Sequence, residues 1–269
     1  PGQPPPMPPF EFLEADEDFR YSSKVWHECN YLQAAEGNID PVHSTYLHRQ
    51  FVESESTPKY IWGDPSAIIE AEETPFGVRV YSVRAVPPDK NYVRTTYFVF
   101  PSLCPIGAGS ADGYTVNWHV PVDDEHHWKY ILIFRRSTPL DKSAAARGRN
   151  PVDAFYRLDR GKHNRYLQDR EEMKTKTFTG MGTSFQAHDL WATEGEGAIQ
   201  DRTEEHLGYT DKAIIVIRKK LLKAILGVQE GEAPPLTDEA SLSCLNELVV
   251  RSDLVPQSVD WRRYWAMSV

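Results

Sequence analysis

The chain has 269 residues, 40% of them hydrophobic, which is enough apolar surface for one large α+β domain or two small ones. Its formal charge is −9, with 30 basic against 39 acidic residues and no sustained basic run, which argues against nucleic acid or an anionic membrane as the main partner. Cys29, Cys104 and Cys244 are too widely spaced for a disulfide framework or a Cys-x-x-Cys metal knuckle and fit a reducing cytoplasm; no apolar run reaches the roughly 18 residues of a membrane span, and no signal-peptide pattern is present.

Six of the first nine residues are proline, a composition of extended, semi-rigid spacers. Residues 1–22 therefore read as a linker and approach segment, and 23–269 as the folded body. Without an initiator Met, the chain reads as a fragment whose upstream portion lies elsewhere. Trp26 to Gly37 has helical composition, with Asn30, Gln33 and Gly37 forming a polar stripe and Val25, Cys29, Leu32 and Ala35 or Glu36 lying on another face.

Asp40-Pro41 starts a second helix, because proline is favoured at the first helical position and disfavours α geometry in the residue before it. Asp40, His43 and His48 follow the order Asp-x-x-His-x-x-x-x-His. Two His and a carboxylate with open positions are the donor set of non-haem Fe(II) oxygenases. The competing reading of Asp40 is an ordinary N-cap. On an ideal helix His43 and His48 are about 140° apart, so a shared ion requires a helix end or a bulge between them.

Four β-branched and aromatic runs follow, at 78–86, 91–100, 114–122 and 128–136, and their short connections predict an antiparallel meander with turns at Asp112-Gly113 and Asp123-Asp124-Glu125. Residues 137–176 read as solvated surface or a subunit contact, with a substrate anion site as the alternative. A strong helix starts at Thr210 or Asp211 and stops at Gly227, with Ile214, Ile215, Ile217, Leu221, Leu222 and Ile225 on its apolar face. Another amphipathic helix begins at Thr237, and the aromatic end VDWRRYWAMSV packs onto the domain or a neighbour. The third metal ligand stays open among Asp189, Glu194, Glu196, Asp201, Glu204, Glu205 and Asp211. Spacing does not choose; Asp201 has one local argument, the Gly-containing approach EGEGAIQ.

At these residues a family resemblance enters. CNYLQAAEGNIDPVHSTYLH (29–48) resembles the catalytic-domain motif of the Rieske non-haem iron aromatic-ring-hydroxylating oxygenases, and IQDRTEEHLGYTDKAII (199–215) resembles the C-terminal motif of their phthalate-dioxygenase and O-demethylase branch; NRYLQDRE and TFTGMG extend the likeness. The resemblance implies an antiparallel sheet gripped by helices and a mononuclear Fe(II) on His43, His48 and Asp201. Asp40 would link an iron-ligand His to a cluster-ligand His of the adjacent subunit, and Asn30 and Gln33 would be helix amides facing the iron. It further implies O₂ and an aromatic substrate, carboxylated or methoxylated, NAD(P)H electrons through a reductase or ferredoxin, and a homotrimer. No Cys-x-His and Cys-x-x-His pair is present for the 2Fe–2S cluster, so that domain is expected upstream of the Pro-rich start or on another polypeptide.

Two rivals remain on the sequence. One is a helix-grip module that binds an apolar ligand without turnover. The other is a zinc hydrolase using the same His pair, against which stands the absence of His-Glu-x-x-His.

Overall fold

The structure is a computed structural model, and it describes residues 4–51, 66–107, 112–147 and 149–266. The described residues form eight antiparallel strands: β1 Arg20–His27, β2 Ile68–Thr74, β3 Gly77–Val86, β4 Lys90–Val99, β5 Leu103–Gly107, β6 Tyr114–Pro121, β7 His127–Phe134 and β8 Ser252–Pro256. They lie in the order β1-β7-β6-β5-β4-β3-β2, with β8 pairing β4 alongside Lys90–Arg94. The predicted meander is present. Its strands 78–86, 91–100, 114–122 and 128–136 correspond to β3, β4, β6 and β7; the predicted turn at Asp123-Asp124-Glu125 joins β6 and β7, and Asp112-Gly113 directly precede β6.

Four strands escape a local reading. β1 falls where helix was expected, so Val25 and Trp26 belong to a strand, and its register places His27 opposite His127 of β7. β2 joins β3 through Pro75 and Phe76. Gly77 closes this hairpin at φ +150°, where a Cβ would stand 1.9 Å from the carbonyl oxygen of Phe98. β1 starts before the expected boundary at residue 23, and Phe10 and Phe12 are buried against Tyr114 and Val99, so residues 10–22 belong to the folded body.

Four helices frame the cleft side of the sheet: α1 Tyr31–Ile39, α2 His43–Tyr46, α3 Phe185–Gly195 and α4 Lys212–Gln229. α1 and α4 grip one face of the sheet. Ala35 and Ile39 of α1 and Ile217 and Leu221 of α4 meet Ile69, Val78, Val80 and Phe98 in one core. Of the predicted apolar face of α4, Ile214, Ile217 and Leu221 are buried at helical spacing, whereas Leu222 and Ile225 are exposed. The helix expected from Thr237 is only a turn, Glu239–Leu242, followed by a 3₁₀ segment and β8. No helix among the described residues is long and apolar enough to cross a membrane.

Candidate metal centre

Asp40 ends α1 as its C-cap residue, and its carboxylate then caps the next helix, accepting from the backbone N–H groups of Val42 at 2.8 Å and His43 at 2.9 Å. α2 stops at Tyr46 with Leu47 as its C-cap residue, so His48 lies just past the helix end. That helix end removes the angular objection to a shared ion. The two imidazole rings sit 5.2 Å apart, at 76° to each other.

The third member is Asp189, from α3. Its Oδ1 lies 3.1 Å from His48 Nε2 and 3.9 Å from His43 Nε2, and one ligand atom from each of the three residues falls within 4.8 Å of the others. His48 is buried, while His43 and Asp189 keep side-chain exposures of 25% and 20% on the cleft side. This is the sterically open arrangement of two imidazoles and one carboxylate that a mononuclear Fe(II) accepts. Both His present Nε2. For His43 the reason is local: Nδ1 is 2.6 Å from the Asp40 carbonyl oxygen, which only accepts, so Nδ1 carries the hydrogen and Nε2 the lone pair.

Three of the residues singled out in the sequence take other partners in the structure. Asp201 lies on the loop after α3, exposed, with its Oδ1 taken by Thr203 N–H at 2.9 Å and Thr203 Oγ at 2.7 Å; it is bound into its own turn rather than aimed at the His pair. Asn30 is the N-cap of α1, accepting from Leu32 N–H and donating to the Asp124 carbonyl, so it does not face the centre. Gln33 lines the cleft, but its amide is consumed by backbone: Nε2 donates to the carbonyls of Thr193 and Gly197, and Oε1 accepts from Gln200 N–H. It fastens α1 to α3 and its following loop.

The triad opens onto a cleft of about 300 Å³. Asn38, Lys129, His27 and Arg218 supply polar groups, and Leu47, Leu207 and Ile214 supply apolar ones. Arg218 of α4 bridges Glu36 of α1 and Glu205 of the loop, with Arg202 also on Glu36, closing one side. Lys129 is buried with Nζ 3.6 Å from Asp189 Oδ2. Burial disfavours charge on Asp189, but His48 and Lys129 outweigh it and hold the carboxyl well below the ordinary carboxylate range. Burial pushes His43 down, against the pull of Asp189.

Behind the cleft three buried histidines form a chain. His119 pairs with Asn38 Oδ1 at 2.6 Å and with His127 at 3.1 Å, His127 meets the Cys29 carbonyl at 2.8 Å, and His27 lies 4.7 Å, ring to ring, from His127. His27 Nδ1 has no hydrogen-bond partner among the described residues. Burial drives all three down, His127 to about 4 and the other two well below the normal value. A base whose folded pKa is depressed binds fewer protons folded than unfolded, so its stabilisation is intact above the unfolded value of about 6.5 and drains away as pH falls towards 4. The melting temperature is therefore expected to drop steeply between pH 6.5 and 4.5, and less steeply in His119→Gln. A flat profile across that window would contradict the buried neutral chain.

Two helices gripping an antiparallel sheet, with two imidazoles and a carboxylate converging on an open cleft, define an α+β domain with the donor set of a mononuclear metal centre. The chain belongs to the LigXa C-terminal domain-like family, whose model matches residues 3–269. It is 33% identical over 264 residues to the phthalate 4,5-dioxygenase oxygenase subunit of Pseudomonas putida, covering 90% of this chain and 58% of that one. With the 3-chlorobenzoate-3,4-dioxygenase oxygenase subunit of Comamonas testosteroni it shares 28% identity over 285 residues, covering 96% and 64%. The chain thus spans roughly three fifths of the length of these relatives. The solved structure of the Pseudomonas putida CBB5 NdmA QL mutant with theobromine has the same fold, with a TM-score of 0.52 over 91% of this chain and 60% of that one at 16% identity.

Proposed function

We propose that this chain is the catalytic portion of the terminal oxygenase component of a Rieske-type aromatic oxygenase, with His43, His48 and Asp189 as its Fe(II) ligands. The convergence of these three side chains carries the reading. Fe(II) bound there would supply the redox chemistry that activates O₂, using electrons delivered one at a time from a 2Fe–2S cluster. The protein's part is orientation and electrostatics. His43 is locked through the Asp40 carbonyl, Asp189 is kept ionised beside Lys129, and Asp40 stands at the cleft, where the family resemblance puts the link to a neighbouring subunit's cluster.

The cleft favours a carboxylated aromatic. Lys129 in the cleft lining offers a cation for a carboxylate, while Leu207 and Ile214 offer apolar surface for a ring. The same polar lining weighs against a module for apolar ligands alone. Family resemblance supports a reductase or ferredoxin donor fed by NAD(P)H and a homotrimer; the three free cysteines support a cytoplasmic setting.

Anaerobic titration of the purified chain with Fe(II) is expected to give one ion bound per chain, and no binding would refute the assignment. In the complete oxygenase with its reductase, phthalate-like and methoxylated aromatics are expected to separate diol formation from formaldehyde release, which distinguishes ring hydroxylation from O-demethylation.

A further inference from the structure

His43 owes its metal-facing nitrogen to a backbone carbonyl, whereas Nδ1 of His48 meets another imidazole. His188 Nδ1 lies 3.1 Å away, with the two ring planes within 23° of each other and His188 fully buried. Two nitrogens at that distance require one donor and one acceptor. The far side of His188 decides which is which.

His188 Nε2 lies 3.1 Å from the carbonyl oxygen of Gly182, and a carbonyl oxygen only accepts. Nε2 of His188 therefore carries the hydrogen, and in the neutral ring its Nδ1 is the bare nitrogen. His48 must then donate from Nδ1, so that when a cation lies between His48 and Asp189, whose Oδ1 is 3.1 Å from Nε2, it is the Nε2 lone pair that meets it. The carbonyl at the head of this relay is itself fixed: Gly182 takes a left-handed φ of +71°, and its N–H is held by Glu172 Oε1 at 2.7 Å. α3 therefore presents Asp189 to the centre and, one residue earlier, the group that orients His48.

Resting on the metal assignment above, we infer that His188 is a positioning residue that fixes His48 as the Nδ1–H tautomer, so that Nε2 faces the metal. A ligand His whose second nitrogen is held by a hydrogen bond has its tautomer and ring plane set before the metal arrives, and loss of such a partner typically weakens metal affinity about 10- to 100-fold. The relay runs Gly182 carbonyl to His188 to His48, and each hydrogen bond has only one polarity.

The test compares His188→Phe, which keeps a planar ring without nitrogens, with His188→Gln, whose amide NH₂ reaches for Gly182 while its oxygen accepts from His48. Anaerobic Fe(II) titration is expected to give about 10- to 100-fold weaker binding in His188→Phe and near-parental affinity in His188→Gln. The visible spectrum of the Co(II)-loaded protein should change in the Phe variant and return in the Gln variant. Parental affinity in His188→Phe, or a Gln variant as weak as Phe, would overturn the role. Should His188→Phe fail to fold, long-range ¹⁵N–¹H spectra of the ¹⁵N-His-labelled, metal-free parent decide directly: protonated Nε2 with bare Nδ1 on His188, identified by its loss in His188→Gln, upholds the relay, and protonated Nδ1 on His188 overturns it. His43→Ala separates the two layers. If it leaves Fe(II) binding intact the metal site itself is wrong, whereas if it abolishes binding while His188→Phe matches the parent only the relay is wrong.

Discussion

Asp189→Ala is expected to abolish stoichiometric Fe(II) binding, whereas Asp201→Ala binds iron as the parent does. The contrast follows from where the two carboxylates are spent. Asp201 lies in an exposed turn and is satisfied by Thr203, so its removal takes nothing from the His pair. Asp189 stands 3.1 Å from His48 and 3.9 Å from His43 on the side their lone pairs face. Without it two neutral imidazoles remain next to the buried Lys129 ammonium, and a divalent cation brought there meets a positive charge with no carboxylate to offset it. Asp189→Asn keeps the shape but not the charge and is expected to bind weakly. Equilibrium dialysis with colorimetric iron determination measures all three variants, with His43→Ala as the negative control. Full binding by Asp189→Ala, or loss in Asp201→Ala, would return the third-ligand position to the loop.

That the sequence motif points to Asp201 while the geometry favours Asp189 has a physical source. The segment 199–215 carries a compact, legible motif, but its residues serve the cleft wall: Glu205 and Arg202 join Arg218 and Glu36 rather than the metal. The signal for Asp189 was present in weaker form. Ser184 caps a stretch free of Gly and Pro until Gly195, its side chain accepting from Ala187 N–H, and that helix places His188 and Asp189 in one turn. What no local pattern reveals is that α3 packs its His-Asp pair against a residue 140 positions earlier in the chain.

The fold was legible where periodicity is strong and opaque where it is borrowed. β3, β4, β6 and β7 are β-branched and aromatic runs bounded by Pro, Gly and Asp clusters, and the Ile-rich helix declares itself at helical spacing. β1 fails locally because RYSSKVWH has few aliphatic residues; its strand state comes from pairing along the whole length of β7. β8 is five residues whose partner lies on β4, more than 150 positions away, beyond any window reading. Lys129 was similarly hidden, since a lysine in a strand reads as solvent-facing until the fold turns it inward beside a carboxylate.

Asp40→Asn in the complete oxygenase is expected to keep its iron and lose about 10- to 100-fold in coupled turnover. The structure separates the two roles that share this residue. Asn is as good an N-cap as Asp, so one of the two N–H groups at Val42 and His43 keeps its acceptor, and the backbone carbonyl that orients His43 is untouched. A residue acting only as a cap would thus leave turnover near normal. What Asn removes is the negative charge and the second acceptor oxygen at the cleft, the features that the proposed link to a neighbouring subunit's cluster histidine requires. Iron content measured beside stopped-flow reoxidation of the reduced cluster reads the two roles independently. Unchanged iron with slowed reoxidation marks Asp40 as the electron link. Unchanged iron with normal reoxidation reduces it to a helix cap, and lost iron places its contribution in the orientation of His43.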